Sequence, residues 1–312
     1  MEIDERYRRQ LELAAGPLII DGLRNPKVIE LMLNPDGVLW FDVMGEGMQV
    51  VGNLTAHAAT QFLTLVATGL GTVANAEKPI VEGELPLDGS RIEGVLPPLV
   101  ASPSFAIRKK ATSIFTLAEY VSNGIMTAVQ KDYIIGAVKN RKNILIAGST
   151  GSGKTTLSNA VLDEIAKQAG NEQRIVMIED TVELQCSAPN VVPLRTSKTT
   201  SMQDLLKVTM RMRPDRIVVG EVRGGEALAL LKAWNTGHPG GVATLHANNA
   251  TAALVRLSQL IAEATPSPQN HLIAEAVDVV LFIEKTPTGR RIKEVVEVKN
   301  YENDSYIVNH IC

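Results

Sequence analysis

Cysteine is scarce in this chain: its 312 residues include two, Cys186 and Cys312. That excludes a disulfide framework and a multi-cysteine zinc site, and it suits a reducing cytoplasm. Aromatic residues make up 4%, too few for the stacking platforms of a single-strand nucleic-acid groove. Charge of one sign is not in excess, with 31 basic and 34 acidic residues and a net charge of −3, so no sequence-specific nucleic-acid partner is expected. A long apolar run is missing as well. The nearest candidate, Gly47 to Ala76, holds no Asp, Glu, Lys or Arg but carries Asn53, Thr55, His57, Thr60, Gln61, Thr64 and Thr68. A membrane span must stay apolar over about 20 residues. Phe62, Leu65, Val66 and Leu70 instead mark one face of an amphipathic helix. The charged stretch Met1 to Gln10 is unlike a signal peptide. These absences leave a cytoplasmic protein without a membrane span, and 45% hydrophobic residues are enough for a sizeable core, most simply in two domains.

What is present begins with Gly148-Ser149-Thr150-Gly151-Ser152-Gly153-Lys154-Thr155-Thr156. The apolar run Ile144 to Ala147 before it reads as a buried strand, and Leu157, Val161, Leu162 and Ile165 after it recur at helical spacing. Strand, glycine loop, Lys-Thr and helix are the context a phosphate-binding loop requires. The glycines let the backbone turn and aim amides at an anion, and the new helix adds its positive end. Residues Ser149 to Thr156 are therefore the expected nucleotide-binding segment. Lys154 reaches for the outer phosphates, and the Thr155 hydroxyl is a ligand for magnesium.

From Arg141 onward strands and helices alternate, which predicts a parallel sheet covered by helices. Closing antiparallel strands are expected over 278–284 and 291–298, around a Thr286-Pro287-Thr288-Gly289 turn, with a further strand over 306–311. The second strand of the series ends in Ile178-Glu179-Asp180-Thr181-Val182-Glu183, and the third in Val219-Gly220-Glu221. Strand carboxyl ends are the ligand-binding edge of such sheets. Nucleotide hydrolases of this type usually end a strand in a magnesium-holding aspartate. Gly220 stands there instead. Glu221 is then the candidate for positioning or activating water, and Glu179 and Asp180 for the metal. A third cluster, Thr236-Gly237-His238-Pro239-Gly240-Gly241, leads through a strand into Thr244-Leu245-His246-Ala247-Asn248. Too few metal ligands lie near it for zinc, so a phosphate sensor or a subunit-interface element is expected.

Residues up to about 118 read as a smaller α+β domain. A helix from Tyr7 ends at Gly16-Pro17, a hairpin turns at Gly45-Glu46-Gly47, and two strands carry Arg91 and Arg108. By residue type alone those arginines are solvated strand charges. Residues 119–139 form a linker with leading helices, and 140–312 the phosphate-loop domain.

The phosphate loop, the Ile-Glu-Asp-x-x-Glu box, the Gly-Glu strand end and the two histidine boxes occur in the order found in the secretion traffic ATPases. The chain resembles their type IV secretion branch, and within it the conjugative transfer ATPases. It lacks the four-cysteine insertion of type II secretion members, and pilus retraction members usually lack the proline after the first histidine. A type II secretion or type IV pilus role is the alternative within the family. A nucleotide-dependent DNA motor or a non-hydrolysing scaffold switch is the alternative from another class. The resemblance implies a RecA-like carboxyl-terminal domain and ATP with Mg2+ as ligands. It further implies a homohexameric ring and inner-membrane channel proteins as partners at the cytoplasmic membrane face. It places Arg91 and Arg108 on the nucleotide, reversing the reading from residue type, and adds both to Lys154, Glu179, Glu221 and His246 as catalytic candidates.

Overall fold

The computed structural model describes residues 5–110, 114–197, 199–287 and 289–311. Cys312, Thr288 of the expected turn and the first four residues of the charged amino terminus lie outside them. The chain divides into two compact units, Met1–Thr112 and Ser113–Cys312.

The first unit opens with α1 (Glu5–Arg24), which is interrupted at Gly16 (φ 70°) before Pro17. The expected stop is real, and a second helical segment then restarts with proline, whose missing amide costs nothing in a first turn. Strands β1 (Val28–Leu33), β2 (Val38–Val43) and β3 (Gly47–Asn53) form a meander, followed by α2 (Ala56–Gly69) and strands β4 (Ile80–Glu84), β5 (Arg91–Val95) and β6 (Ser104–Arg108). The sheet order is β3-β2-β1-β6-β5-β4. Its core joins Leu31, Phe41, Ile92 and Ile107 from the strands to Leu11 and Ile19 of α1 and Phe62, Leu63 and Val66 of α2. The charge-poor stretch is thus a hairpin strand plus a core helix. Among the described residues no helix is long and apolar enough to cross a membrane.

The second unit has the RecA-like α/β build. Helices α3 (Leu117–Ser122) and α4 (Ala128–Lys139), each opened by a capping box, lead into β7 (Ile144–Ala147) and α5 (Lys154–Ala169). Then come β8 (Ile175–Glu179), β9 (Val191–Arg195), α6 (Met202–Thr209), β10 (Arg216–Val219), α7 (Glu226–Asn235), β11 (Val242–Leu245), α8 (Ala250–Ala262) and α9 (Asn270–Ala276). Strands β12 (Val279–Thr286), β13 (Gly289–Glu302) and β14 (Ser305–His310) close the sheet, whose order is β14-β13-β12-β7-β11-β10-β8-β9. Strands β7, β8, β10 and β11 are buried at every position, as a sheet covered on both faces demands. Ile144 and Ile146 of β7 pack toward α3, α4 and α5, and Leu145 and Ala147 toward α6 to α9. Strand β12 departs from the antiparallel expectation: it pairs parallel with β7 and turns antiparallel only against β13. The central run β12-β7-β11-β10-β8 is therefore all parallel, and its carboxyl ends share one edge.

The opposite edge is fastened by polar side chains. Arg216 is 1% exposed and donates to Gln173 Oε1 (2.6 Å), the Gly240 carbonyl (3.0 Å) and the Val138 carbonyl (3.2 Å). Burial, and then the charge of Arg141, lower its pKa to about 10. Asn143 Oδ1 accepts from the amides of Gly240 and Gly241 at 2.8 and 3.0 Å. A side chain on Gly240 would strike the Arg216 guanidinium, and one on Gly241 the Trp234 indole and the Ile217 carbonyl. The Gly-Gly pair of the first histidine box thus serves packing. Arg216→Ala leaves three acceptors without their donor, and we expect a loss of about 3 kcal/mol of stability, read as a lowered denaturant midpoint with an unchanged slope.

Candidate active site

The phosphate loop leaves β7 at the shared carboxyl edge. Gly151 (φ 70°) and Gly153 (φ 101°) occupy left-handed conformations that residues with a Cβ resist. Gly153 directly precedes α5, so the loop amides and the helix amino terminus converge, as anion binding requires. Ser152 is fully buried. Lys154, 8% exposed, curls under the loop and donates to the carbonyls of Gly148 (3.0 Å) and Ser149 (3.1 Å).

From Lys154 a polar chain crosses the strand ends. Its Nζ lies 3.2 Å from His246 Nδ1, just past β11. An ammonium can only donate, so Nδ1 accepts and the imidazole proton sits on Nε2. Nε2 donates to Glu221 Oε1 at 2.7 Å, and the other carboxylate oxygen receives Arg223 Nη2 at 2.6 Å. Arg223 Nη1 lies 3.5 Å from Asp180 Oδ2, and Asp180 Oδ1 accepts from the Thr196 hydroxyl at 3.0 Å. Burial alone would raise the Glu221 pKa. The Arg223 hydrogen bond and charge, with His246 and Lys154, bring it below the ordinary value. For His246, burial and then the Lys154 charge lower the pKa, against the pull of Glu221. A base depressed on folding releases protons that the unfolded chain keeps, so stability rises with pH across the window just below the ordinary imidazole value. We expect thermal stability to fall as pH drops through that window, and His246→Gln to flatten this dependence in melting curves taken at closely spaced pH.

The Glu-Asp-x-x-Glu box divides its carboxylates differently from the metal reading. Glu179, 4% exposed, turns inward, and its Oε1 accepts the amides of Glu183 (2.9 Å) and Leu184 (2.8 Å). It shapes the loop after β8. Glu183, the last acid of the box and not among the metal candidates, reaches Thr155 Oγ1 at 3.2 Å. Asn159 of α5 steadies that loop by donating to the Glu183 carbonyl and accepting from the Gln185 amide. Among the described residues no group of three or more His, Cys, Asp or Glu side chains is placed to enclose a metal ion. Magnesium on a nucleotide does not need such a cage, since phosphates and waters supply most of its shell.

The two histidine boxes part company. His246 joins the site, whereas His238 lies before β11, at the other end of that strand, with Nδ1 2.8 Å from the Pro214 carbonyl. The catalytic candidates Lys154, His246 and Glu221 are brought together in the second unit, and Thr155 and Asp180 border them. Arg91 and Arg108 are brought together within the first unit: they sit directly opposite each other across β5 and β6. Arg108 also faces Glu30 of β1, at 3.7 Å.

A phosphate loop on the central strand of a parallel sheet, with a carboxylate-imidazole pair at the neighbouring strand ends, defines a P-loop ATPase. The chain belongs to the type II/IV secretion system protein family, whose profile matches residues 54–301. It is 51% identical over 301 residues to the probable conjugal transfer protein TrbB of Sinorhizobium fredii, covering 96% of this chain and 92% of that one. It is 48% identical to the conjugal transfer protein TrbB of Rhizobium radiobacter, covering 98% and 94%. Among solved structures it resembles the VirB11 ATPase of the Brucella suis type IV secretion system, solved in complex with sulphate. That match has 27% identity, a TM-score of 0.50, and coverage of 94% of this chain and 95% of that one.

Proposed function

We propose that this ATPase powers a conjugative type IV secretion system as a homohexameric ring at the cytoplasmic face of the inner membrane, working with the channel proteins there. Near-full-length likeness to conjugal transfer proteins supports the biological setting. The observation that carries the chemistry is the continuous line Lys154–His246–Glu221.

The loop amides and Lys154 bind the outer phosphates and stabilise charge as the terminal phosphoryl group transfers. Glu221 orients the attacking water and takes up its proton on a carboxylate oxygen. His246, holding its proton on Nε2, fixes that carboxylate relative to Lys154, so phosphate and water are positioned by one connected unit. Thr155 and Glu183 bring a hydroxyl and a carboxylate to the same spot, a hard-oxygen pair suited to Mg2+, with Asp180 nearby as a further acceptor. When bound there, Mg2+ neutralises charge on the phosphate oxygens.

Arg91 and Arg108 act on the nucleotide from the amino-terminal unit. Like charges directly opposite in a sheet are unfavourable; the cross-strand carboxylates Glu30 and Glu84 offset part of that cost, and an anionic ligand would offset more. Arg108→Ala should therefore reduce hydrolysis about tenfold or more while stability changes by under about 1 kcal/mol, the usual size of an exposed ion pair. Arg108→Lys should rescue poorly, because a lysine cannot reproduce the fork. Turnover and melting temperature measured together decide it, and full activity of the alanine variant would remove Arg108 from the site. Mg2+-dependent ATP turnover by the purified protein, with particle images taken with and without ATP, tests the ring and the engine together. A monomer that turns over ATP at the wild-type rate would contradict the ring.

A further inference from the structure

The β12–β13 hairpin has no part in the chemistry above, although it overhangs the phosphate loop. Strand β7 ends at Ala147 opposite Phe282, while β12 continues to Thr286, about 13 Å farther at ordinary strand rise. Because β12 is parallel to β7, this extension projects past the same edge from which the loop departs. It is also strongly basic: Lys285, Arg290, Arg291 and Lys293 stand against Glu284, which pairs with Lys293 at 3.1 Å.

One of these cations lies on the loop itself. Arg290 Nη2 approaches the Gly151 carbonyl at 3.4 Å. Its Cδ and Nε would be 2.9 and 3.2 Å from a Cβ on Gly153, so its stem lies across the glycine backbone with its head exposed. Arg291, one residue on, points to the opposite face of the hairpin. Arg290 approaches from the β12 side of β7, whereas His246 and Glu221 follow β11 and β10, and Glu179 ends β8, on the other side. A nucleotide with its reacting phosphate near Glu221 extends its α-phosphate and ribose away from those acids.

We infer that Arg290 is a nucleotide-binding residue that grips the α-phosphate end of ATP and ADP from the side of the loop opposite the catalytic acids. The inference rests on the reading of Glu221 as marking the reacting end. The Gly151 carbonyl, 3.4 Å from Nη2, positions the guanidinium, whose remaining donors suit a phosphate oxygen. An interaction made equally in the ground and transition states changes KM and leaves kcat in place.

The test measures fluorescent-ADP affinity, ATP competition against it, and steady-state turnover for wild type, Arg290→Ala, Arg290→Lys and Arg291→Ala, with melting temperature alongside. Arg290→Ala should weaken ADP and ATP alike by about 10- to 100-fold, the size of a charge-assisted hydrogen bond. KM should rise in step, Arg290→Lys should recover part of the loss, and Arg291→Ala should bind like wild type. ADP affinity within twofold of wild type in both Arg290 variants would overturn the inference. So would a loss confined to ATP, since it would put Arg290 at the reacting end. Neither result touches Glu221, whose role is tested by its own substitution.

Discussion

Lys154→Ala should lose two to four decades of ATP turnover, on the order of the effect of removing charge stabilisation from a developing transition state. The side chain is held nearly buried beneath the loop by two backbone carbonyls and an imidazole nitrogen, so its ammonium is preorganised. Its removal also frees His246 Nδ1 from a facing cation, and the imidazole pKa should return toward its ordinary value. That second consequence separates a placed charge from a merely structural lysine. Steady-state turnover reads the first effect and histidine proton titration by NMR the second. Wild-type turnover in the variant would remove the phosphate loop from the reaction.

Glu221→Gln should retain nucleotide and fail to hydrolyse it, with turnover down at least about a hundredfold, the lower range for a general base. Glutamine keeps the length and can still accept from Arg223 or His246. What it loses is the negative charge of a carboxyl whose pKa, against burial, is held below the ordinary carboxylate range by the Arg223 hydrogen bond and charge, with His246 and Lys154. The direction of the Glu221 shift also sets a pH dependence. A carboxylate depressed on folding contributes stability above its unfolded pKa and loses it as pH falls through the folded value. The glutamine variant should lack that acid-side loss. If it fails to bind ATP with Mg2+, Glu221 belongs to the metal shell instead.

The phosphate loop was legible because its function is local: glycine spacing, lysine and the following helix are read directly along the chain. The strand-helix rhythm was equally plain, since each core strand is a short apolar run bounded by turns. Strand β9 escaped because Pro193 and half-exposed residues at an edge imitate a loop, and β4 because Gly83 interrupts a five-residue strand. The site was legible as a set of boxes and illegible as a division of labour. Glu179, Asp180 and Glu183 are alike in type, and only the backbone path after β8 turns the first onto two amides and the third onto Thr155. The two histidines were legible as flanking one strand, but not that His246 alone of the two meets Lys154 and Glu221. Arg216 and Arg290 gave no signal, because what distinguishes them is contact with glycines distant in the chain.

Glu221, aligned by His246 with Lys154, is proposed to perform the water-activating step in a site that binds nucleotide without it. A single-turnover measurement tests it most directly: γ-labelled ATP is bound to excess enzyme, Mg2+ is added, and phosphate formation is followed in wild type and Glu221→Gln. Equal ATP should be bound at the start, with prompt phosphate formation in wild type and persistence of intact ATP on the variant. Phosphate formed at the wild-type rate on the variant would contradict it.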